Sequence, residues 1–538
     1  MDIIVCIVLV IFAAMKTINP PGIFNDVIGP VMRGPSSSHT AGSHRIGNVI
    51  QQMAGSDIKK AAFYFHPGGS LASTYQTQGS DIGLAAGLLG IEMTHTDIPI
   101  SLELARKSGI SLTFNITDYP ADHPNTYRCV FETHNGKAFQ VTALSTGGGI
   151  IEFVEIQGIE CRVLMDLPTL IIQGKSEEIN TWWEKARDDP GFQSQIYRHQ
   201  LNNKDDEALL IIEFKLADPK FGPLNMNDCF CKLILPVYPV MGYTGSLLPF
   251  RTASDLEEMP DLGDLDLADM AIEYETKRSS ISAEEVLNRM DKLVDIFMGA
   301  IDKGLSGTEY KNRIVHSQSP VFLMNSQNGK LIPAGPLEKM TAYTMAIMEA
   351  KSAMEVIIAA PTAGAAGGLP GALIGLAEEM GANRDQLNKA FLASGLVGVF
   401  ITTEATFAAE VAGCQAETGA AAGMAAAGMV QLAGGSAKQA LGAASLALQN
   451  IMGLVCDPVA NRVEIPCLGR NVQAGANALI SANMILGGVD PVIPLSESIQ
   501  TMLAVGKAMP CELRCTALGG LSVTKTAKDI EKNLNNTM

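Results

Sequence analysis

The sequence is poor in positive charge, in aromatic side chains and in histidine. Lys and Arg number 39 against 56 Asp and Glu, which gives a formal net charge of −17. This excess of negative charge argues against nucleic acids and anionic membranes as partners, because both would repel it. Aromatic residues make up only 6% of the chain, whereas glycine occurs 52 times. Such a composition is typical of helices that pack closely through small side chains, in a chain long enough for about two to four domains.

The cysteine content excludes a disulfide scaffold. Ten cysteines in 538 residues are too few and too irregularly spaced for one. We therefore expect a reducing compartment, the cytoplasm, in which cysteines serve as thiolate ligands or as buried thiols. Cys229 and Cys231 form a close pair without a second pair or a histidine nearby, so an inert pair is favoured over a zinc site.

Hydrophobic runs long enough to span a membrane are scarce. The apolar run at residues 3–15 is shorter than the about 20 residues that a spanning helix needs. It lacks the basic flank of a signal peptide, since Asp2 precedes it, and Met15 is the expected natural start. The uncharged stretch 356–376 contains prolines and glycines and has no flanking Lys/Arg asymmetry. We therefore expect a buried helical core, completed in a homodimer, rather than membrane spans.

Turn signals and hydrophobic periodicity predict an α+β fold in which strands precede a long helical region. Asn135 and Gly136, between alternating runs at 127–134 and 137–144, are typical of a β-hairpin. Residues 168–215 follow the order strand, helix, strand, strand, which predicts a small βαββ module. After about Glu355 the helices are apolar on nearly every side, as in a buried bundle. The predicted divisions are an extension (1–22), an α+β domain (23–165), the module (166–220), a linker (221–251) and a helical domain (252–538).

A hydroxyl-rich turn at residues 36–40 precedes the first predicted helix. Its members are Ser36, Ser37, Ser38, His39 and Thr40. Hydroxyls at this position cap the free N–H groups of a helix start, and the same groups form an anion site with the helix dipole. An ordinary capped helix is the alternative. His44 and Arg45 crowd the same turn, which favours a site for a carboxylate or a phosphate.

Three cysteines lie far downstream in a Gly/Ala-rich helical setting, at Cys414, Cys456 and Cys467. No histidine occurs after His316, which excludes a mixed Cys/His zinc site built from this stretch alone. The wide spacing favours an iron–sulfur cluster with one open iron over an all-cysteine zinc site, and buried structural thiols are the alternative. Cys511 and Cys515 are four residues apart and are predicted to share a helix face. One of them would supply a fourth ligand to the cluster; the alternative is that both are exposed or packed thiols.

A family resemblance rests on several motifs of the chain. They are GPVMRGPSSSHTAGSHRIG, HPNT with STGGG, IIAAPTAGAAGGLPGAL, CDPVANRVEIPC and LRCTALGGL. Together, from about Phe24 to Gly520, these motifs resemble bacterial L-serine dehydratases (L-serine ammonia-lyases) of the iron–sulfur type. The chain is similar to a fused form with β-type and α-type regions in one polypeptide. The resemblance implies a β-type region at 23–165, a reduced ACT-like module at 166–220 and a catalytic α-type region from residue 252.

The resemblance also implies the cofactor and the substrate contacts. It implies a [4Fe-4S] cluster on the three cysteines, no pyridoxal phosphate and a small amino-acid substrate. The substrate contacts that it implies are Ser36, Ser37, Ser38, His39, Thr40, Asp81, Thr362, Ala363 and Gly364. The chain departs from the pattern of one subtype at Gln78, where those relatives carry a histidine, and at Ala363, where they carry an asparagine.

The implied reaction is β-elimination of water from L-serine, which yields pyruvate and ammonia with Lewis-acid help from an open iron. The residues considered for the base that removes the α-proton are His39, Ser38 and Thr362. Two other classes compete with this interpretation. One is a related cluster-dependent lyase for cysteine or another β-substituted amino acid, and the other is a membrane or scaffold protein with small-residue helices.

Overall fold

The computed structural model describes residues 19–55, 57–221, 229–310 and 313–535. The apolar run at residues 3–15 lies outside these residues. The described part of the chain contains a sheet-rich N-terminal region and a helical C-terminal region, as the sequence predicts. These described residues form three sheets, of six, four and two strands.

The N-terminal region is built around the six-stranded sheet. Its elements in chain order are β1 (Val31–Arg33), α1 (Gly42–Ala54), β2 (Ile58–Phe65), α2 (Leu71–Thr74), α3 (Ser80–Leu88), α4 (Ser101–Lys107), β3 (Ser111–Ile116), β4 (Thr126–Thr133), β5 (Ala138–Gly147), β6 (Ile150–Ile156) and β7 (Ile159–Val163). The strand order is β3-β2-β4-β5-β6-β7, with β2 and β3 parallel and the other pairs antiparallel. The predicted hairpin around Asn135 and Gly136 is confirmed as β4 and β5, and Gly136 has the positive φ of 82° that such turns use.

Helices α1 and α3 pack tightly against each other beside this sheet. A Cβ atom at Gly87 would lie 2.2 Å from the His44 carbonyl oxygen, and one at Gly47 would lie 2.6 Å from the Leu84 carbonyl oxygen. Glycine at both positions is therefore required for this approach of the two backbones. The close packing fixes the start of α1, where the hydroxyl-rich turn lies.

The predicted βαββ module is present and gains a fourth strand. Its elements are β8 (Thr169–Lys175), α5 (Ser176–Arg187), α6 (Pro190–Gln193), β9 (Ile196–Lys204), β10 (Glu207–Phe214) and β11 (Phe230–Ile234). The antiparallel order is β11-β8-β10-β9. Strand β11 comes from the segment that sequence analysis assigned to the linker. It is a half-buried edge strand, so its sequence carries little of the apolar alternation that marks a strand.

The rest of the described chain is helical except for one short strand. Its elements are α7 (Ala253–Glu257), α8 (Leu267–Ser279), α9 (Ala283–Leu305), α10 (Ser319–Gln327), α11 (Pro336–Ser352), β12 (Val356–Ile358), α12 (Pro370–Met380), α13 (Arg384–Glu404), α14 (Ala409–Ala412), α15 (Thr418–Leu432), α16 (Ala437–Gln449), α17 (Cys467–Leu486), α18 (Leu495–Ala508) and α19 (Lys525–Asn535). Every residue of α15 is buried, between α13, α16 and α17. A search of the described residues finds no helix that is both long and apolar enough to cross a membrane.

A two-stranded antiparallel ladder joins the two regions. Strand β1 pairs with β12, with Val31 opposite Ile358 and Arg33 opposite Val356. Arg33 also forms a 3.2 Å ion pair with Glu355. The hydroxyl-rich turn follows β1 directly, and the Thr362 loop (residues 361–368) follows β12 directly. The ladder therefore brings these two segments together.

Candidate active site

The hydroxyl-rich turn forms a π-helical turn, Ser37–Ala41, that leads into α1. The Ser36 side chain caps it by accepting a hydrogen bond of 3.3 Å from the His39 backbone N–H. From the sheet, the Ser145 hydroxyl donates a 2.8 Å hydrogen bond to the Ser38 carbonyl oxygen. The cap therefore lies on the π-helical turn, whereas α1 itself begins without a side-chain cap, and the turn is held from both sides.

The His39 imidazole is fully buried and contacts hydroxyl groups through both ring nitrogens. Its Nε2 lies 2.9 Å from the Thr74 hydroxyl and 3.3 Å from the Ser70 hydroxyl. Its Nδ1 lies 3.1 Å from the Ser36 hydroxyl and 3.9 Å from Glu410 Oε1. Burial lowers the pKa of His39, and the negative charge of Glu410 opposes that shift. A neutral imidazole so placed can accept a proton, and Glu410 would then stabilise the imidazolium.

Ser37 connects the turn to the helical region. Its hydroxyl accepts a hydrogen bond of 3.1 Å from the Ala363 backbone N–H. Both residues are fully buried. Ala363 begins a single 3₁₀ turn, Ala363–Ala365, inside the Thr362 loop. Two segments that the resemblance assigns to substrate binding are therefore in direct contact.

The Thr362 loop is also bonded to the helical region through Glu417. The Thr362 hydroxyl donates a hydrogen bond of 2.6 Å to Glu417 Oε1 and accepts one from the Ala365 N–H. A Cβ atom at Gly364 would lie 2.8 Å from Glu417 Oε1, so the loop and the carboxylate approach closely here. Burial raises the pKa of Glu417 to about 7, whereas the Thr362 hydrogen bond lowers it.

Asn471 ties the same loop to the cysteine stretch. Its Nδ2 donates hydrogen bonds of 2.8 Å to the carbonyl oxygens of Gly364 and Cys467. Its Oδ1 accepts hydrogen bonds from the N–H groups of Gly367 and Gly368. The side chain is fully buried and all of its main-chain partners belong to these two segments. The loop and the first turn of α17 are thus fixed relative to each other.

Two of the predicted cluster cysteines pack together in segments between helices, and the third begins a helix close enough for the Cys414 thiolate to raise its pKa. Cys414 lies in a 3₁₀ turn, Cys414–Ala416, directly after Gly413, whose φ is 74°. Cys414 and Cys456 pack with Cys515 in one small buried cluster. Cys467 is the first residue of α17 and is also buried. The structure therefore gathers these thiols from segments that are far apart in sequence.

The two tail cysteines have different environments, and the expectation that they share a helix face is wrong. Cys511 is exposed and begins a 3₁₀ turn, Cys511–Leu513. Cys515 is buried against Cys456 and has a φ of 61°, outside any helix. The reason is main-chain pairing, because the Cys456 N–H bonds to the Leu513 carbonyl and the Cys515 N–H bonds to the Cys456 carbonyl.

Two cations face the buried thiols. Burial raises the pKa of Cys414 to about 11 and that of Cys467 to about 12, and the Arg470 guanidinium opposes both shifts. Arg470 is held by a 2.8 Å ion pair with Asp457. Lys351, which is fully buried and bonds to the Val463 carbonyl, also lowers the pKa of Cys467. Positive charge beside thiols favours their thiolate form, which is the form that binds metal.

The donor set fits an iron–sulfur cluster. Within the described residues, no group of three His, Cys, Asp or Glu side chains is arranged around one point to hold a metal ion. A cluster does not require such convergence, because each thiolate binds a different iron. Soft thiolates from Cys414, Cys456 and Cys467, with Cys515 beside Cys456, are the ligand type that iron–sulfur clusters use.

The remaining predicted substrate residues lie beside the turn. The Thr40 hydroxyl donates a 2.8 Å hydrogen bond to the Gln78 carbonyl, and a Cβ atom at Gly79 would lie 2.7 Å from the same hydroxyl. Asp81 lies in the first turn of α3, where burial raises its pKa to about 7. Its Oδ1 accepts a hydrogen bond from the Ile82 N–H. Within the described residues, no hydrogen bond or ion pair joins Asp81 to the Thr362 loop or to the cysteines.

Sequence reasoning missed four side chains that organise this site. They are Glu410, Glu417, Asn471 and Arg470. In the sequence, the two glutamates stand out only as charges that interrupt apolar runs. A carboxylate in an otherwise apolar helical stretch is costly to bury without a partner, and this is the signal that could have found them.

The fold and the site define a two-region protein in which a helical region with buried cysteines follows a sheet-rich region, and known proteins of this class are enzymes. A family model described as serine dehydratase alpha chain matches residues 263–522. The L-serine dehydratase alpha chain of Peptoniphilus asaccharolyticus is 37% identical over 286 residues, which cover 53% of this chain and 97% of that protein. The probable alpha chain of Bacillus subtilis is 34% identical over 285 residues, with coverages of 53% and 95%.

A second Bacillus subtilis protein, described as a probable L-serine dehydratase beta chain, is 37% identical over 147 residues. The match covers 27% of this chain and 66% of that protein. Relatives of both the alpha and the beta type are therefore found for one polypeptide. The chain belongs to the L-serine dehydratase family.

Proposed function

We propose that this protein deaminates L-serine to pyruvate and ammonia by β-elimination of water. The observation that carries the proposal is the Thr362 loop, which is bonded to Ser37 on one side and to Glu417 and Asn471 on the other. Through these bonds, residues that can hold an amino acid lie next to a buried group of thiols. Membership of the L-serine dehydratase family favours this activity over a scaffold role.

We propose Cys414, Cys456 and Cys467 as the ligands of a [4Fe-4S] cluster, and Cys515 as a fourth thiol that would bind the remaining iron at rest and leave it when substrate arrives. When bound, the cluster supplies a Lewis acid that makes the substrate hydroxyl a better leaving group. Arg470 and Lys351 supply positive charge that opposes the effect of burial and favours the thiolate form, which the cluster iron would complete by displacing the thiol protons. The proposal needs no pyridoxal phosphate.

The substrate carboxylate is proposed to bind at the hydroxyl-rich turn. Ser36, Ser37, Ser38 and Thr40 supply hydroxyl groups at the start of α1, where the dipole of the helix favours an anion. The loop residues Thr362, Ala363 and Gly364 close the opposite side. Asp81, in the first turn of α3 beside the turn, is proposed as a further contact to the substrate.

His39 is proposed to accept the α-proton through Ser36. The Ser36 hydroxyl lies 3.1 Å from His39 Nδ1, so it can pass a proton to the ring. The proton is then held on the imidazole, whose positive charge Glu410 stabilises. Ser38 and Thr362 are the other candidates for the base, and they lie in the same two segments. Single substitutions of the three residues would show which of them removes the proton.

A substrate panel tests this function. Anaerobically purified protein is given L-serine, L-threonine and L-cysteine, and release of the 2-oxo acid is measured. We expect L-serine to have the highest kcat/KM. A clear preference for L-cysteine would instead support the related lyase.

A further inference from the structure

The loop that carries Cys456 is bonded to the tail of the chain at several points. The Cys456 N–H donates a 2.8 Å hydrogen bond to the Leu513 carbonyl, and the Cys515 N–H donates one of 2.9 Å to the Cys456 carbonyl. Further along, the Ser522 hydroxyl donates a 2.9 Å hydrogen bond to the Pro458 carbonyl. The tail therefore runs beside the loop over these residues.

Asp457 lies between these contacts and is 3% exposed. Its Oδ2 accepts a 2.7 Å hydrogen bond from the Leu521 N–H of the tail. A Cβ atom at Gly520, whose φ is 59°, would lie 2.6 Å from Asp457 Cβ, so glycine is required for this approach. The other carboxylate oxygen, Oδ1, lies 2.8 Å from Arg470 Nη2 near the start of α17. One buried carboxylate is therefore shared between the tail and a cation.

Arg470 is fixed at two points of the loop. Besides the ion pair with Asp457, its Nη1 donates a 2.8 Å hydrogen bond to the Val455 carbonyl. The guanidinium held in this way acts on Cys414 and Cys467, where it opposes the rise in pKa that burial causes. A planar guanidinium that is bonded on two sides is held in one orientation, whereas loss of one bond frees it to rotate.

The charge on Asp457 is explained by the cation and not by the tail. An uncharged side chain could accept the hydrogen bond from the Leu521 N–H, whereas a buried carboxylate costs free energy unless a cation compensates it. We infer that Asp457 is a positioning residue of the iron–sulfur site, which holds the Arg470 guanidinium beside the thiols and the tail that carries Cys515 beside the loop. The inference rests on the cluster proposed above, to which Asp457 contributes no ligand.

Three variants separate the two contacts of Asp457. Asp457→Asn can still accept from the Leu521 N–H but loses the ion pair with Arg470. Asp457→Ala loses both contacts, and Arg470→Gln removes the cation. The matched control is Asp269→Asn, because Asp269 forms an exposed 3.4 Å ion pair with Lys389.

The reduction potential of the cluster in anaerobic protein tests the contact with Arg470. A cation near a cluster favours its reduced form, so we expect Asp457→Asn to lower the potential as the guanidinium becomes free to move, and Asp269→Asn to leave it unchanged. In the Arg470→Gln background, Asp457→Asn should no longer lower the potential, because Asp457 acts through that cation. A carboxylate that acted only by its own charge would instead raise the potential when removed, in both backgrounds. That result, or no change in either background, would overturn the inference.

Thiol labelling of the cluster-free protein tests the contact with the tail. Mass spectrometry follows the alkylation of Cys515 by N-ethylmaleimide, with the exposed Cys511 as the internal control. Cys129, buried in β4, is the control for folding and should label at the wild-type rate in every variant. We expect Asp457→Ala to label Cys515 roughly fivefold faster than wild type, and Asp457→Asn to label it at close to the wild-type rate. Equal labelling of Cys515 in Asp457→Ala and wild type would also overturn the inference.

The two measurements separate this inference from the proposed function. A wild-type protein that takes up no cluster would contradict the proposed function itself. A loaded wild type whose potential and labelling are the same in the Asp457 variants would contradict only the positioning role.

Discussion

The Ser37 hydroxyl and the Ala363 N–H are 326 residues apart in sequence and form a 3.1 Å hydrogen bond. This bond joins the hydroxyl-rich turn of the first region to the Thr362 loop of the helical region. Because both residues are fully buried, the two segments share one dry interface. The proposed substrate site is therefore complete only when the two regions are docked.

Removing this hydroxyl should lower activity without removing the metal. In Ser37→Ala, the Ala363 N–H loses its acceptor, which costs about 1–3 kcal/mol in a buried setting. We expect kcat/KM for L-serine to fall roughly tenfold or more, while iron content stays at the wild-type level. Ser326→Ala is the control, since Ser326 bonds to Glu338 far from the site. Wild-type turnover in Ser37→Ala would show that the contact is not needed.

The pH dependence of activity should report on His39 and Glu410. Burial lowers the pKa of His39, so the ring is neutral at neutral pH and activity should fall only as the pH drops below that lowered pKa. In Glu410→Gln the imidazolium loses its negative neighbour, so the pKa of His39 falls further. The acid limb of kcat/KM should move to lower pH while kcat at neutral pH decreases. Glu497→Gln, a change in the first turn of α18, should leave the profile unchanged.

Replacing His39 itself should have a larger effect. For His39→Ala we expect kcat to fall roughly 10²- to 10⁴-fold, the usual contribution of a general base, with the cluster absorbance retained. If turnover stays near normal, Ser38→Ala and Thr362→Ala made in parallel will show which of the other candidates removes the proton.

Asn471 should be needed for both stability and cluster retention. Asn471→Ala removes hydrogen bonds to four main-chain groups and leaves them buried, which should cost at least about 1–3 kcal/mol. We expect a lower unfolding temperature and faster loss of iron in air. The control is Asn328→Ala, at the C-terminal end of α10. Unchanged iron retention in Asn471→Ala would argue against the proposed ligand role of Cys467.

The two tail cysteines should behave differently. Cys515 is buried beside Cys456, whereas Cys511 is exposed, so only Cys515→Ser should change the absorbance or electron paramagnetic resonance of the loaded protein. Cys511→Ser is the matched control four residues away. Identical spectra for wild type, Cys515→Ser and Cys511→Ser would exclude a tail thiol as the fourth ligand.

The sequence was sufficient for features that depend on local pattern. The Asn135-Gly136 hairpin, the capped turn before α1 and the strand–helix–strand–strand order of the module all follow from turn chemistry and periodicity. Strand β11 was missed because an edge strand buries little and alternates weakly. The segment 356–376 reads as one apolar run, yet it divides into β12, a loop and the start of α12.

The long-range contacts could not be read from local pattern. Nothing near Glu417 in sequence indicates that its carboxylate meets Thr362, and nothing near Glu410 points to His39. These pairs depend on the β1–β12 ladder, whose strands are three residues long and give almost no periodic signal. The main-chain pairing of Leu513 and Cys515 with Cys456 is likewise a long-range contact. The four-residue spacing of Cys511 and Cys515 suggested a helix instead.

The central claim is that one buried group of thiols holds an iron–sulfur cluster that this protein needs to deaminate L-serine. The most direct test measures iron, sulfide and pyruvate formation in one anaerobic preparation, before and after exposure to air. We expect a brown protein with broad absorbance near about 400 nm that forms pyruvate from L-serine and loses colour and activity together in air. An iron-free preparation with the same turnover, or an iron-loaded one that forms no pyruvate, would contradict the account.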